Sequence, residues 1–486
     1  VSTDFNVSRR LYLEAVTYEE VEEVLEKEGT KRVVVQLGGQ TALNMAKRLE
    51  EKGAEILGTP LEAILGAEDR SLFTEIMGSL GLKQPANRVA RSVEEAIRAV
   101  EDIGFPVLLR PSFVLGGRSM AVVYTRDELT AFLNRGILVS PESPLLVDQF
   151  LEDAFEYDVD ALCDAENVYI AGVLQHIEAA GVHSGDSAAV FPPYKADAEA
   201  LQLIREATAT ISRRLGIRGF INLQFAVKGA DVYILEVNPR ASRTVPFLAK
   251  ASGVDLVNLA VGIWSGESLA DQGVMEQEVP GLPQVAEGRC IFGWAVKEAV
   301  FSFDRFIAVD PILGPEMRST GESIGLGKSF GEAFAKATLS AGSTLPTRGS
   351  VFVSVHDADK ETILPVVRSL ADMGFHIAAT RGTADFLFRN GLFPDVILKI
   401  HEGHPNIVDH LKEGKVALVI NTPLGRFTQK DDDYLRIAAI RAKVPYTTTT
   451  SAAEAALEGI RYLRTQSADP QVLPDKLRFG LSDLLA

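Results

Sequence analysis

The sequence predicts a multidomain protein of the α/β and α+β classes, on three observations. The chain has 486 residues, whereas a single hydrophobic core stops growing near ~250 to 300 residues, so we expect several domains. Hydrophobic residues make up 46% and charged residues 24% of the chain, a globular composition that excludes a largely disordered or collagen-like protein. Short apolar runs alternate with amphipathic segments, as in sheets flanked by helices.

The first element is a predicted helix over residues 17–30, with Thr17 as its cap and Glu20 three residues later. Residues 31–37 (KRVVVQL) form a short apolar run typical of a buried strand, and residues 42–53 have the spacing of a second helix. This order predicts a helix–strand–helix piece of a doubly wound sheet. The strand that would open such a sheet does not precede it, so we expect the chain to be a fragment of a longer protein.

The middle third alternates strands and helices in an α+β pattern. After a capped helix come apolar strand segments, one long helix, and two further strands; these lie at residues 92–104, 105–112, 120–124, 144–151, 156–164, 167–178, 196–215, 219–227 and 231–238. Residues 266–345 have less regular patterning, and we expect a connecting segment there. From Gly349 the strand–helix alternation resumes, which predicts a separate domain with a mostly parallel sheet.

Charge and cysteine usage narrow the function classes. The formal net charge is -17, from 49 basic and 66 acidic residues, so no broad basic field is present for a nucleic acid or an anionic membrane. Cys163 and Cys290 form no C-x-x-C, which argues against a disulfide framework or a zinc knuckle and favours the cytoplasm. No apolar run reaches ~18 residues. The HEGH segment at 401–404 lacks H-E-x-x-H spacing, so a metalloprotease is not predicted.

The most informative segment is GFINLQFAVKGADVYILEVNPR, residues 219–240. If residues 228–231 close a hairpin, Gln224 lies opposite Glu236 and Asn222 opposite Asn238, all on one face. A carboxylate and carboxamide oxygens suit a hard divalent cation such as Mg²⁺, whose remaining ligands are phosphate oxygens and water. The sequence therefore predicts a nucleotide–metal site, and the alternative is a solvated outer face of an edge hairpin.

Other polar positions in the middle third have weaker signals. FVLGGRS, with Arg118, could be a phosphate flap or an ordinary hairpin turn. Arg110 could bind a polyphosphate through two N–H groups of its guanidinium, or it could be an ordinary surface arginine. A strand end carries residues suited to an adenine edge and ribose hydroxyls: Asp148, Gln149, Leu151 and Glu156. His183, beside Ser184 and Asp186, could face a phosphate, although a lone loop histidine is more often exposed.

The last domain places polar residues at strand ends, where parallel sheets form their ligand crevice. These residues are Lys360, Thr380, Gly382, Thr383, Lys399, Asn421 and Thr422. Lysines, hydroxyls and amides suit a phosphate. The alternative is that they are helix caps and turn residues.

These motifs resemble the C-terminal half of the carbamoyl phosphate synthetase large subunit. The resemblance rests, in order, on GGQT, AEDR, KQPAN, RPSFVLGGR, AGVHSGDSA, INLQFAVK, EVNPRASRTVPF, GPEMRSTGE, ATRGTA and INT. It implies four regions: a partial pre-ATP-grasp domain at 1–65, an ATP-grasp domain at 66–270, a connecting segment at 271–348, and a methylglyoxal-synthase-like allosteric domain at 349–486. The implied reaction is ATP-dependent phosphorylation of carbamate to carbamoyl phosphate, which feeds pyrimidine and arginine synthesis.

The resemblance also implies roles for individual residues. The metal ligands for Mg²⁺ or Mn²⁺ would be Gln224, Glu236 and Asn238, and K⁺ is a further expected cation. Asn238, His183 and Arg240 would serve catalysis, with Arg240 near the transferring phosphate. The ATP-binding positions would be Arg70, Arg110, Gln149, Leu151, Glu156, Gly181, Val182, His183 and Ser184, besides Gln224 and Glu236. A nucleotide monophosphate would bind at Lys360, Thr380, Thr383, Lys399 and Asn421, and ornithine at Glu178, Asp186, Glu298 and Thr448.

Partners and departures follow from the same resemblance. The first synthetase half and a glutaminase motif are absent from the sequence, so we expect a hetero-oligomer with an N-terminal half and a glutaminase small subunit. Pro423 stands where the family has a second threonine, which removes a hydroxyl and a backbone N–H from the nucleotide position. Two other functions remain open: a different ATP-grasp ligase, and a non-catalytic nucleotide-binding regulatory fragment.

Overall fold

The structure, a computed structural model, describes residues 8–111, 120–134, 139–140, 143–178, 180–302, 313–422 and 430–466. The side chains at 70, 71, 430–433 and 466 lie outside this description. The chain divides into two compact units. The first unit holds residues up to 84, 157–173 and 196–289, and the second holds 85–156, 174–195 and the chain from 290.

In chain order the helices and strands are α1 (Tyr18–Glu28), β1 (Arg32–Val33), α2 (Gly39–Glu51), β2 (Glu55–Ile56), α3 (Leu61–Glu68), α4 (Arg70–Ser79), β3 (Asn87–Ala90), α5 (Val93–Ile103), β4 (Val107–Pro111), β5 (Ala121–Val123), α6 (Arg126–Leu133), β6 (Leu145–Gln149), β7 (Phe155–Asp164), β8 (Val168–His176), β9 (Ala189–Phe191), α7 (Ala198–Arg214), β10 (Arg218–Lys228), β11 (Asp231–Asn238), α8 (Val245–Ser252), α9 (Leu256–Trp264), β12 (Val285–Glu287), β13 (Trp294–Val300), β14 (Gly321–Gly327), α10 (Phe330–Ser340), β15 (Ser350–Val355), α11 (Lys360–Asp372), β16 (His376–Ala379), α12 (Arg381–Arg389), β17 (Asp395–Val396), α13 (Ile407–Lys412), β18 (Leu418–Thr422), α14 (Lys430–Arg441), β19 (Tyr446–Thr447) and α15 (Thr450–Gln466).

The N-terminal segment of the first unit differs from the prediction in two details. Helix α1 follows Thr17, but the Thr17 side chain makes no capping hydrogen bond. Acidic residues in the first turn favour this helix end through its dipole instead. The predicted strand over 31–37 shortens to β1, paired parallel with β2. The shortening has a physical reason, because Gln36 in that run is buried and its side chain bonds to residues outside the ladder.

A polar hairpin organises the rest of the first unit. Its sheet runs in the order β11-β10-β7-β8, with β12 parallel to β8. In β10 the apolar side chains of Ile221, Leu223 and Phe225 are fully buried in the unit's core. Because strand side chains alternate, the intervening polar residues face the other way. This is the face on which the sequence predicts a metal site.

Strands β3, β6, β4 and β5 form an antiparallel sheet in the second unit, ordered β3-β6-β4-β5. Helix α5 covers it with buried alanines and Val100. Its predicted cap is confirmed, since the Ser92 hydroxyl accepts a hydrogen bond from Glu95 N at 3.2 Å. The sheet carries Arg110 and Gln149 at strand ends.

The segment 271–348, which its irregular patterning predicts to be a connecting segment, contains three strands: β12, β13 and β14. β13 pairs antiparallel with both β9 and β14, and α10 follows behind a Ser329 cap. Lys297 and Glu298 interrupt the apolar pattern of β13, which hides the strand from a reading of the sequence. Lys297 is nonetheless buried, and its Nζ donates to Ser184 O at 2.8 Å.

The C-terminal part of the second unit has a five-stranded sheet in the order β17-β16-β15-β18-β19. Each of its neighbouring pairs is parallel, which confirms the prediction of a mostly parallel sheet. Helices α12 and α13 were not expected from the sequence. They begin directly after strand-end loops, so the polar residues predicted to form a crevice also begin helices.

Among the described residues, no single helix is both long and apolar enough to cross a membrane. Helices α8 and α9 meet that criterion only as a pair, and they are bent by 112° at the break that separates them.

Candidate active site and regulatory sites

The polar face of the hairpin has the predicted register. Asn222 lies opposite Asn238, and Gln224 lies opposite Glu236, so the register prediction is confirmed. The register shifts by one residue between Gln224 and Phe225, on the turn side of these pairs. Asn222 and Asn238 are only 4% and 6% exposed, so the alternative of a solvated outer face is wrong for them, whereas Glu236 is exposed.

These oxygens fit a divalent cation. Among the described residues no cluster of three or more His, Cys, Asp or Glu side chains is placed to hold a metal. The hairpin instead combines the carboxylate of Glu236 with the amide oxygens of Gln224 and Asn238. One carboxylate with neutral oxygens leaves most of an octahedral shell for phosphate and water, which is the usual environment of Mg²⁺ beside a nucleotide. The chemistry of the donor set therefore fits Mg²⁺.

Arg240 follows the hairpin and retains an unused donor. Its Nη2 donates to Asn238 Oδ1 at 3.0 Å, and its Nη1 donates to Ala241 O at 3.2 Å. The Nε–H is buried and has no acceptor in the part of the chain that the structure describes. A buried donor without an acceptor costs free energy, ~1 to 3 kcal/mol for a neutral group and more for a charged one. An anion at this position would remove that cost.

Asp160, on strand β7, was not predicted as a site residue. Its carboxylate accepts a hydrogen bond from Asn222 Nδ2 at 3.2 Å and another from the Thr244 hydroxyl. Burial raises the pKa of Asp160 to about 6, although these hydrogen bonds lower it. Asp160 thereby joins the hairpin to the segment that carries Arg240. Its signal in the sequence was the alternation of Asp158 and Asp160 within an apolar strand.

Glu68 also approaches this site. Gln40 Nε2 donates to Glu68 Oε2 at 2.6 Å. Desolvation raises the pKa of Glu68 above its usual value, the charge of Glu236 raises it further, and Arg240 lowers it. The first unit therefore gathers two carboxylates and one guanidinium near the end of the hairpin, and the GGQT and AEDR motifs supply part of this cluster.

In the second unit, Arg110 is held in place rather than free on the surface. Its Nε and Nη2 lie 2.8 and 2.6 Å from Asp148 Oδ2. Asp148 is buried, so this ion pair fixes the orientation of the guanidinium. Gln149 is anchored through its main chain, because its N donates to Ala86 O at 2.7 Å. Leu151, the next predicted nucleotide residue, is buried.

Glu156 and the glycine turn at 181 are joined. Glu156 Oε1 accepts from Gly181 N at 2.8 Å, and its Oε2 lies 3.4 Å from Nδ1 of buried His176. Gly181 has φ 87°, and a Cβ there would lie 2.5 Å from the Phe150 ring. Only glycine fits this position without displacing the ring. The structure thus brings together two of the predicted nucleotide residues.

The loop that contains His183 is ordered by hydrogen bonds. His183 N donates to Gly314 O at 2.8 Å, and its Nδ1 accepts from Gly185 N at 3.0 Å. Because Nδ1 is an acceptor, the neutral ring carries its proton on Nε2. His183 is half-buried, as are Val182 and Ser184, so the alternative of a simply exposed histidine is not supported.

The predicted ornithine residues include a desolvated carboxylate pair. Desolvation raises the pKa of Glu178 to about 7, and that of Glu298 to about 8 with a further contribution from the charge of Glu178. Asp186 plays another part, since its carboxylate accepts from Arg318 N at 2.7 Å and Ser319 N at 2.8 Å. Thr448 follows β19 and is half-buried.

The crevice of the C-terminal sheet brings together most of its predicted residues. Lys360 Nζ donates to Gly382 O at 2.8 Å, and the Thr380 hydroxyl lies 3.3 Å from that of Thr383. Asn421 Nδ2 donates to Ser354 O at 3.1 Å. Lys399 differs, because it lies at the start of a short helical turn where its N donates to Glu402 at 2.8 Å.

Three predictions concern residues or side chains outside the described part of the chain. Arg118 falls in 112–119 and Pro423 in 423–429. Arg70 begins helix α4, but its side chain belongs to the part not described. The phosphate flap, the departure at Pro423 and the contact of Arg70 with ATP therefore stay predictions.

Comparison with known proteins identifies the class of fold and then the family. Three family models match: the carbamoyl phosphate synthase preATP-grasp domain over residues 1–66, the carbamoyl-phosphate synthase L chain ATP binding domain over 69–272, and the MGS-like domain over 362–448. The fold is also similar to the biotin carboxylase domain of Hydrogenobacter thermophilus 2-oxoglutarate carboxylase, solved with MgADP, ADP and bicarbonate. The TM-score is 0.52 at 19% identity, covering 67% of this chain and 77% of that one. The protein is thus an ATP-grasp protein with an MGS-like domain.

Sequence relatives specify the family. The chain is 49% identical to the carbamoyl phosphate synthase large chain of Gemmatimonas aurantiaca, over 96% of this chain and 42% of that one. It is 46% identical to the carbamoyl phosphate synthase large chain, C-terminal section, of Aquifex aeolicus, over 96% of this chain and 87% of that one. The chain belongs to the carbamoyl phosphate synthase large chain family, and the predicted resemblance is confirmed. It spans 42% of the length of the Gemmatimonas large chain.

Proposed function

We propose that this chain transfers the γ-phosphoryl group of ATP to carbamate, forming carbamoyl phosphate and ADP. The observation that carries the proposal is the end of the hairpin, where a carboxylate and amide oxygens lie beside an arginine that retains a buried, unused donor. Phosphoryl transfer depends mainly on positioning and charge stabilisation, and these groups supply both.

Each residue has a role in this reaction. Gln224, Glu236 and Asn238 would hold Mg²⁺, which when bound neutralises phosphate oxygens. The Nε–H of Arg240 would donate to an oxygen of the transferring group. In the second unit, Arg110, oriented by Asp148, would donate to the polyphosphate, and Glu156, Gly181, Val182, His183 and Ser184 would bind the nucleotide. Mn²⁺ takes the same oxygen ligands as Mg²⁺. The proposal carries K⁺ only from the resemblance.

The proposal includes partners, because the chain spans 42% of a large-chain relative. An N-terminal synthetase half would supply carbamate, and a glutaminase subunit would supply ammonia. The relative described as a C-terminal section supports a partner that holds the other part of the large chain. Carbamoyl phosphate made in this way would serve pyrimidine and arginine synthesis. The domain boundaries after residues 65, 270 and 348 are part of the same proposal.

The test runs the reaction backwards. The purified chain is mixed with Mg·ADP and carbamoyl phosphate, and ATP formation is followed for wild type, Glu236→Ala and Asp231→Ala. Asp231 begins the same strand and pairs with Lys83 at the far end of the hairpin, so it is a matched control. We expect ATP from wild type and Asp231→Ala and a loss of at least ~100-fold in Glu236→Ala, the scale of removing one transition-state contact.

Two outcomes would contradict this function. A folded wild-type chain that binds ADP and forms no ATP would favour the regulatory fragment, and adding the N-terminal half would show whether activity needs that partner. A different ATP-grasp ligase would instead form an amide or carboxylate adduct from ATP and an acid, so analysis of the product separates the two enzymes.

A further inference from the structure

Gln36 is a fully buried glutamine with hydrogen bonds on both side-chain polar atoms. Its Nε2 lies 2.8 Å from Thr59 Oγ1, 3.1 Å from Phe220 O and 2.9 Å from Pro239 O. Its Oε1 accepts from Phe220 N at 3.3 Å and from Trp264 Nε1 at 3.1 Å. Replacing a buried amide whose N–H groups and oxygen are all hydrogen-bonded costs stability, because each lost hydrogen bond leaves a buried polar group without a partner.

Two of its contacts stand on either side of Arg240. The Gln36 side chain donates to Pro239 O, one residue before Arg240, and the Gln36 main-chain O accepts from Ala241 N at 3.0 Å, one residue after it. Gln36 therefore fixes the backbone that carries Arg240 on both sides. The arginine side chain is then oriented by Asn238, and its Nε–H is left with no acceptor among the described residues.

The space around Gln36 allows no looser arrangement. Gly219 has φ 103°, and a Cβ there would lie 2.2 Å from Gln36 Oε1 and 2.4 Å from Trp264 Nε1. The neighbouring strand thus approaches as closely as a glycine permits. A glutamate could not donate to Pro239 O, and a leucine could neither donate nor accept, so the position requires an amide.

We propose that Gln36 is a positioning residue for phosphoryl transfer, which aims Arg240 at the transferring group. This inference rests on the proposed function. Gln36 lies 204 positions from Arg240 in sequence, in the segment matched by the preATP-grasp model, so that segment would contribute directly to the geometry of catalysis. A displacement of ~1 Å in a catalytic group can lower a rate by ~100-fold.

The experiment measures ATP formation from Mg·ADP and carbamoyl phosphate, with the N-terminal half present if activity needs it. We expect Gln36→Ala to lower kcat by ~100-fold with little change in the KM for ADP. Thr208→Val is the matched control, because it removes a buried hydrogen bond, Thr208 Oγ1 to Ile204 O at 2.8 Å, elsewhere in the same unit. It should leave kcat unchanged. In an Arg240→Ala background, Gln36→Ala should cause no further loss, because the group that it aims is gone.

Other outcomes decide against the proposal. Equal kcat for wild type and Gln36→Ala, or losses that multiply in the double variant, would overturn it and leave the proposed function standing. If Gln36→Ala does not fold, Trp264→Phe removes one partner of Gln36 and should lower kcat by a few fold; an unchanged kcat would overturn the proposal. If wild type itself forms no ATP, the proposed function fails. The role of Gln36 is then tested by measuring the binding of inorganic phosphate with calorimetry. Equal affinity in wild type and Gln36→Ala contradicts the inference. If Gln36→Ala does not fold, Trp264→Phe takes its place in this comparison.

Discussion

The hairpin site of the first unit and the crevice of the C-terminal sheet both collect polar side chains at strand ends, but they differ in how those side chains are engaged. At the hairpin, Glu236 is exposed and Arg240 keeps a donor without an acceptor among the described residues. In the crevice, Lys360 bonds to Gly382 O and pairs with Asp357, while Asn421 bonds to Ser354 O.

This difference affects how each region would respond to a ligand. A phosphate at the hairpin gains hydrogen bonds without breaking any made by Arg240 Nε, which suits strong stabilisation of a transition state. A phosphate in the crevice must first replace internal hydrogen bonds, so part of its binding free energy is offset. The first arrangement suits catalysis, and the second suits a modest, adjustable affinity for an effector.

The largest expected effect comes from removing the arginine. We expect Arg240→Ala to lower phosphoryl transfer by ~1,000-fold, since it removes the charge that would stabilise the transferring group. Arg214→Ala, which removes an exposed arginine at the end of α7, should leave the rate unchanged. Both are measured by ATP formation from Mg·ADP and carbamoyl phosphate. An Arg240→Ala protein as fast as wild type would show that the unused donor has no part in transfer, and the contrast with the crevice would then carry no functional meaning.

The hairpin could be predicted because the residues that determine its pairing are close together in the sequence. Two consecutive strands, β10 and β11, fix the register through the short turn between them. Alternation then places Gln224, Glu236 and Asn238 on one face. The crevice could be located for the same kind of reason, since parallel strands end at one edge. Family motifs added Arg240, which the strand pattern alone does not single out.

Contacts between distant segments could not be predicted. Asp160 meets Thr244 and Gln36 meets Pro239 only because the chain returns to the same place, and one sequence contains no measure of such proximity. The strand β13 was missed because buried Lys297 has the hydropathy of an exposed position, although its Nζ donates a hydrogen bond to Ser184 O. Whether a polar group is buried depends on the hydrogen-bond partners that the fold offers it, and hydropathy does not contain that information.

The second-largest expected effect concerns the stability of the hairpin region. There the buried carboxyl group of Asp160, which is hydrogen-bonded to the hairpin through Asn222, can ionise. Burial raises the pKa of Asp160 to about 6, so the folded state binds its proton more tightly than the unfolded state does. The stability that this gives is present below about pH 4 and is lost as pH rises through about 6, by ~3 kcal/mol. Asp160→Asn cannot ionise and should lack this loss.

This prediction is measured by denaturant unfolding between pH 4.5 and 7.5. Trp264 fluorescence in a Trp294→Phe background reports on the first unit alone, because the chain has two tryptophans and the other lies in the second unit. As pH rises, the free energy of unfolding of the protein that retains Asp160 should fall more than that of the Asp160→Asn variant. Parallel curves for the two proteins would show that Asp160 is charged throughout this range.

The smallest effect concerns the crevice. We expect Lys360→Ala to weaken binding of a nucleoside monophosphate, or of inorganic phosphate as a minimal probe, by ~10-fold, because one charge-assisted contact is lost while the freed Gly382 O offsets little. ATP formation without effector should not change. Lys415→Ala is the control, since that exposed lysine pairs with Glu413 in the same part of the chain, and it should bind the ligand as wild type does. Equal affinity in wild type and Lys360→Ala would mean that Lys360 serves only to hold Gly382 and Asp357, and the crevice would then be a set of helix starts rather than a ligand site.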